Sequence, residues 1–244
     1  MFWLKLNKFW QILWDPLFIR ALLKGCVAGV EHRCLLQNLK FDCLVDVGAN
    51  RGQFALIFHR LFPRASIYSF EPLDEPAQIF KKIFSNDPNV KLYACAIGRE
   101  KKIATIHITR DDDSSSMLPV TKIQSSMFPG AIEKGTRQVP VLPLAQALGI
   151  APIPPASLLK IDVQGFELSV LQGCEDILNN FSHLYIECSF VELYEGQSLA
   201  HQIVAWLGQR NFVISGIYNL YYDTTGMTMQ GDFLFTHIFR LDGF

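Results

Sequence analysis

Two hydrophobic periods alternate along this chain. Contiguous apolar runs at 43–47, 66–70, 89–96, 157–162 and 183–187 have the length of strands buried on both faces. Between them apolar residues recur at helical spacing: Phe54, Ile57, Phe58 and Leu61, then Ile79, Phe80, Ile83 and Phe84 within 74–84. Leu168, Val170 and Leu171 repeat the pattern after Glu167, and a further helix is expected over 198–209. Strands alternating with helices predict an α/β fold, a mostly parallel sheet with helices on both faces. Three stretches break the rhythm. Residues 102–109 alternate apolar with polar side chains, which predicts a half-exposed strand, and 137–142 reads as a short strand before a helical turn at 144–148. Residues 211–215 and 232–239 read as strands with no helix between them, so they are expected to form an antiparallel edge.

Ahead of the first strand, residues 1–40 form an N-terminal arm, and the domain proper runs over 41–244. In the arm Phe2, Leu6, Phe9, Trp10, Leu13 and Leu17 fall on one helical face, with Lys5, Lys8, Gln11 and Asp15 opposite, and Asp15-Pro16 breaks the helix. No uncharged run approaches the roughly 20 residues of a membrane span. Lys5, Lys8, Asp15 and Arg20 also interrupt what a signal peptide would keep apolar. Amphipathicity serves two readings: an arm packed on the domain or on a second subunit, or peripheral contact of residues 1–24 with a membrane through their tryptophans.

Composition narrows the partners. Lys and Arg total 22 against 23 Asp and Glu, a net charge of −1 that gives nucleic acid no electrostatic foothold. Half of the residues are hydrophobic, enough for a full core and against disorder. The 6 cysteines show no C-x-x-C spacing, so they are expected as free thiols in a reducing, cytoplasmic setting, with no zinc site.

Candidate chemistry gathers at the ends of the strands. The first runs into Asp46-Val47-Gly48-Ala49-Asn50-Arg51-Gly52, a glycine turn that opens a helix. Asp46 would repel a diphosphate but welcome an ammonium or a sulfonium. The spacing also lacks the third glycine of a nicotinamide site, which sets a dehydrogenase aside. The second strand ends in Glu71-Pro72, where a carboxylate accepts from both hydroxyls of a ribose. A phosphate-free, positively charged nucleoside fits both, and S-adenosylmethionine is such a molecule. The small and apolar Ala96 and Ile97 suit a flat adenine pocket, or simply a buried strand end.

The 157–162 strand carries Lys160, read as an internal charge partner, and ends at Asp162; the next ends at Glu187. Both carboxylates fall at the crevice side of an open α/β sheet. Residues 110–136 form a long loop of the kind that closes sites, and Asp111-Asp112-Asp113 within it reads as a solvated turn rather than a Mg²⁺ site. His107 lies just before that loop, as a base or as a half-buried strand histidine. Tyr218, Tyr221 and Tyr222 are read as an aromatic loop, either a pocket wall or plain surface.

Val45 to Gly52, Phe70-Glu71-Pro72, the serines 114–116, Leu159 to Gly165 with Glu167, and Ile186-Glu187 together resemble the FkbM-type methyltransferases, in order, over about 43–239. The resemblance implies a Rossmann-like class I methyltransferase with a seven-stranded sheet and S-adenosylmethionine as cofactor. It further implies O-methylation of a hydroxyl on a sugar, glycan, glycolipid or small natural product. By resemblance Asp46, Gly48, Asn50 and Gly52 cradle the methionine end, Glu71 holds the ribose, Ser115 belongs to the site, and Asp162 lies near the transferred methyl. The segment 139–144 lacks the acidic residue the family often shows there, so no metal ligand or substrate contact is expected from it. A positioned base should aid attack by a hydroxyl, with Asp162, Glu187 and His107 as candidates in that order. The alternative is a non-catalytic binding or scaffold subunit, whose mark would be a damaged cofactor motif; Asp46, Gly48, Gly52 and Glu71 are all intact.

Overall fold

The computed structural model describes residues 10–149, 151 and 153–239. Helix α1 (Pro16–Leu23) starts at Asp15, whose carboxylate accepts from the Leu17 N–H at 3.0 Å. Then β1 (Cys43–Val47), α2 (Gln53–Leu61), β2 (Ser66–Phe70), α3 (Asp74–Ile83) and β3 (Val90–Tyr93) follow in the alternation that the hydrophobic pattern demands. An insertion carries β4 (Ala96–Ile97), β5 (Lys102–Thr109), α4 (Lys122–Met127), β6 (Glu133–Leu142) and α5 (Leu144–Leu148). The alternation resumes with β7 (Ser157–Ile161), α6 (Glu167–Gly173), β8 (His183–Ser189) and α7 (Ala200–Gly208), and β9 (Phe212–Tyr222) with β10 (Thr228–His237) closes it.

Seven strands form the main sheet in the order β3-β2-β1-β7-β8-β10-β9. The first five run parallel, and β10 lies antiparallel to both β8 and β9. This is the α/β architecture with an antiparallel edge that the pattern predicts. β1 lies inside the sheet between β2 and β7 and is buried along its whole length. One apolar layer joins Leu44 to Phe54 and Phe58 of α2, and the other joins Leu159 and Ile186 to α6 and α7.

Three expectations are corrected. The run 89–96 is not one strand: β3 ends at Tyr93, and Ala96–Ile97 crosses into a separate small sheet, parallel to β6. An apolar run says that a segment is buried, not which sheet it joins. β6 begins at Glu133, well before residue 137, because its first residues are exposed and carry no hydrophobic signal. Tyr218, Tyr221 and Tyr222 lie within β9 rather than in a loop; the turn is at 223–227, where Asp223 accepts from the Thr225 and Met227 N–H groups.

The arm belongs partly to the core. Ile12, Phe18 and Ala21 are buried in the cluster that contains Phe54 and Phe58, while Trp14 and Leu23 remain 80% and 83% exposed. Phe2, Lys5, Leu6, Lys8 and Phe9 lie outside the described residues, as do Ile150 and Pro152. No helix among the described residues is long and apolar enough to cross a membrane. All of the cysteines are free, and only Cys34 is exposed.

Candidate active site

The strand order reverses at β1, with β2 on one side and β7 on the other, and that switch point opens a crevice at the strands' carboxyl ends. Gly48 turns the chain with φ +80°, Asn50 follows at φ +45° and Gly52 at φ +93°. A side chain at Gly48 is impossible in place: its β-carbon would stand 1.8 Å from the Asp162 carbonyl oxygen. The Asp162 N–H donates to Val47 O at 3.1 Å, and the Gly48 and Ala49 N–H groups donate to Phe70 O at 3.1 and 3.0 Å. Backbone alone thus stitches three strand ends into one floor, beneath a cavity of about 500 Å³.

Glu71 forms one wall. Its Oε2 accepts from the Asn50 N–H at 2.9 Å and its Oε1 from the Leu73 N–H at 2.8 Å. Burial pushes its carboxyl up to about 7, although both amides favour the charged form. Ala96 and Ile97 line the cavity beside Phe70 and Phe166, an apolar slot continuous with Glu71.

The opposite wall is a polar network. Lys160 Nζ lies 3.2 Å from Asp162 Oδ2 and 3.6 Å from Asp46 Oδ1. Gln164, with φ +55°, divides its amide between Asp162 Oδ1 and Glu187 Oε2, each at 2.8 Å. The other Glu187 oxygen accepts from the Gln230 amide at 2.9 Å. Burial raises the Asp162 carboxyl, but the Lys160 ammonium and the Gln164 amide outweigh it, so it stays below the usual carboxylate range. Glu187 is the reverse: burial, with Asp162 and Asp232 nearby, raises it well above that range. Two neighbouring carboxyls are therefore shifted in opposite directions.

His32, which the sequence does not single out, lines the same cavity. It follows Val30 in a single 3-10 turn, with no motif around it. Its Nδ1 is 3.0 Å from the Tyr185 hydroxyl, which donates to Asp232 Oδ2 at 3.0 Å; Asn219 donates to the same oxygen at 2.8 Å. Phe54 packs against the ring edge to face, with centroids 5.1 Å apart. Burial lowers the imidazole's pKa, against the pull of Asp232 and Glu31.

The predicted site residues divide by place. Gly48, Asn50, Glu71, Ala96, Ile97, Ser115, Asp162 and Glu187 meet around the cavity. Ser115 Oγ accepts from the Thr109 N–H at 3.2 Å, which fixes the loop. Asp46 does not reach the cavity: it is wholly buried behind Lys160, with no hydrogen bond to either oxygen. Gly52 is also behind the wall, where its positive φ starts α2 and the Phe80 and Phe84 rings press on it. His107 is off the site, on β5, with Nδ1 3.0 Å from Glu133 Oε2 across the small sheet. The expected loop contains the helix α4, and its residues 111–117, 124 and 128–130 line the cavity; Arg51 holds Asp112 at 2.8 Å, and Tyr194 donates to Ser114 O at 3.0 Å. No cluster of metal-ligating side chains occurs among the described residues.

The model of the FkbM methyltransferase domain matches residues 46–214. The 2-O-methyltransferase NoeI of Sinorhizobium fredii is 28% identical over 188 residues, covering 74% of this chain and 77% of that protein. Methyltransferase 1 of Beauveria bassiana is 29% identical over 154 residues, 54% of this chain; the alignment spans 58% of that longer relative. Among solved structures, a Klebsiella pneumoniae protein assigned provisionally to the O-methyltransferases superposes with a TM-score of 0.54 at 14% identity, covering 91% of this chain and 90% of that one. That likeness shows the fold.

Proposed function

This chain belongs to the FkbM methyltransferase family, and from that premise we propose that it transfers a methyl group from S-adenosylmethionine to a hydroxyl of an uncharged sugar, glycan or small natural product. The observation that carries the proposal is the charge of the crevice. Glu31, Glu71, Asp113, Asp162 and Glu187 line it, whereas Lys160 is the one Lys or Arg lining it among the described residues, and that ammonium is already paired.

The residues fit the cofactor. Gly48 lets backbone approach where any side chain would clash, and Glu71 presents a buried carboxylate to a diol beside an apolar slot for a flat base. S-adenosylmethionine supplies a methyl group on a positively charged sulfur, which a carboxylate-lined cavity favours. Asp162, kept ionised by Lys160, adds attraction for that charge. Ala96, Ile97 and Phe166 keep water from the base side, and the loop 110–130 covers the top.

The acceptor follows from the same charges. A phosphate or carboxylate group on it would meet no free Lys or Arg among the described lining residues, while hydroxyls find carboxylate acceptors. O-methyl transfer agrees with the name of the Sinorhizobium relative. Calorimetric titration with S-adenosylhomocysteine, S-adenosylmethionine and NAD⁺ tests the cofactor: the first two should bind and the third should not. Labelled methyl transfer to neutral sugars, with their phosphate esters run in parallel, tests the acceptor. Transfer to the esters alone would refute the acceptor class, and binding of NAD⁺ alone would refute the cofactor.

A further inference from the structure

We propose that His32 is the catalytic base that receives the proton of the acceptor hydroxyl, with Tyr185 and Asp232 as its positioning residues. The inference rests on the methyl-transfer reading above and adds a residue that lies outside the matched family region, which begins at 46.

One consistent hydrogen-bond pattern leaves Nε2 of the ring free. Asp232 Oδ2 accepts from two donors, the Tyr185 hydroxyl at 3.0 Å and the Asn219 amide at 2.8 Å. The single proton of Tyr185 is therefore committed to Asp232. Its oxygen, 3.0 Å from His32 Nδ1, then accepts from an imidazole protonated on Nδ1; the Asn219 amide, 3.2 Å from the same nitrogen, fits that pattern by donating to Asp232 and to the Tyr185 oxygen at 3.3 Å, and Nε2 carries the lone pair. Nε2 makes no hydrogen bond among the described residues, and it is not sealed among the buried unpaired atoms. The ring is also clamped. A β-carbon at Gly29 would lie 3.0 Å from His32 Cδ2, Phe54 packs on the ring, and the Gly29 N–H donates to Gln53 O at 3.0 Å. A neutral imidazole thus lines the cavity with its basic nitrogen unengaged.

The other candidates are poorer bases. Asp162 is bound by Lys160 and Gln164, which stabilise its charged form and weaken its pull on a proton. Both oxygens of Glu187 already accept amide hydrogen bonds, from Gln164 and Gln230. His107 lies on the other sheet.

The step balances. The acceptor oxygen forms its bond to the methyl carbon as the carbon–sulfur bond breaks, and that electron pair stays on sulfur, which becomes a neutral thioether. The hydroxyl proton passes to Nε2, so one positive charge leaves the sulfonium and one appears on the imidazolium. Asp232, reached through Tyr185, stabilises that charge, and the proton then leaves to water.

Nitrogen-15 NMR of the ring tests this without any acceptor, the His32 signals being those lost in His32→Gln. The groups facing the ring are Asp232 and Tyr185 from β10 and β8, Lys160 from β7 and Asp162 just beyond it, and Glu31 from its own turn. We expect a neutral ring protonated on Nδ1, titrating below 6.5 and lower still in Asp232→Asn, with mixed tautomers in Tyr185→Phe. A wild-type ring protonated on Nε2 overturns the inference. In turnover, His32→Gln should lose about 10²-fold or more in kcat, with S-adenosylhomocysteine affinity changed by less than about twofold. Full turnover in that variant also overturns it. If the unaltered chain binds S-adenosylhomocysteine but methylates nothing, the acceptor class fails instead, and the tautomer still decides the role of His32.

Discussion

At Gly48 the backbone has φ +80° and passes so near Asp162 that a β-carbon would overlap its carbonyl oxygen. Gly48→Ala therefore combines about 1–2 kcal/mol of left-handed strain with a clash between two site loops. It should weaken S-adenosylhomocysteine binding at least tenfold by calorimetry. Glu71→Gln keeps the shape but removes the charge that accepts from a diol; about tenfold weaker binding is expected, the range of a hydrogen bond to a charged group. Asp162→Asn should act differently. It leaves the floor intact while releasing Lys160, so turnover should fall more than cofactor affinity in steady-state kinetics, and equal turnover would remove Asp162 from the mechanism.

Elements set how firmly those residues are held. α1 stands before the first strand of the domain, yet Phe18 is fully buried against the layer that contains Phe54 and Phe58 of α2. The N-terminus of α2 follows directly on the glycine turn, so the arm braces the site from behind. Phe18→Ala should cost about 3–5 kcal/mol in chemical denaturation, because a cavity in a packed layer does not collapse. The edge pair acts similarly on the other side: β9 and β10 bring Asn219 and Asp232 to the ring of His32.

Across the whole molecule the buried carboxyls give stability a distinctive pH dependence. Glu71 and Glu167 are both raised by burial from 4.5 to about 7. Between those values the folded chain holds protons that the unfolded chain releases, so their contribution is full below about 4.5 and is lost as pH rises through about 7. Asp46, Asp232 and Glu187 are raised as well and act in the same sense. His32, lowered from 6.5, opposes them as a single group. The Tm without ligand should therefore fall from pH 5.5 to pH 8, and Glu71→Gln should flatten that slope in calorimetric scans.

The sequence by itself determined the alternation of strands and helices, the glycine turn after β1, and the carboxylates at the ends of β1, β2, β7 and β8. These are local properties: burial on both faces, a positive φ that glycine accepts, and strand-end position can each be read from neighbours in the chain. It also identified Glu71 and Asp162 as wall residues, because the crevice of an open α/β sheet lies outside the carboxyl ends of its strands. Tertiary structure decided what those residues do. Asp46 and Asp162 end adjacent strands alike, yet one is sealed behind Lys160 and the other faces the cavity, a difference set by packing across β1 and β7. His32 belongs to no motif, and its partners Tyr185, Asn219 and Asp232 come from strands far along the chain, so only the folded sheet brings them together. Proton affinity follows the same rule, since the opposite shifts of Asp162 and Glu187 come from desolvation and from Lys160, interactions through space that residue order does not encode.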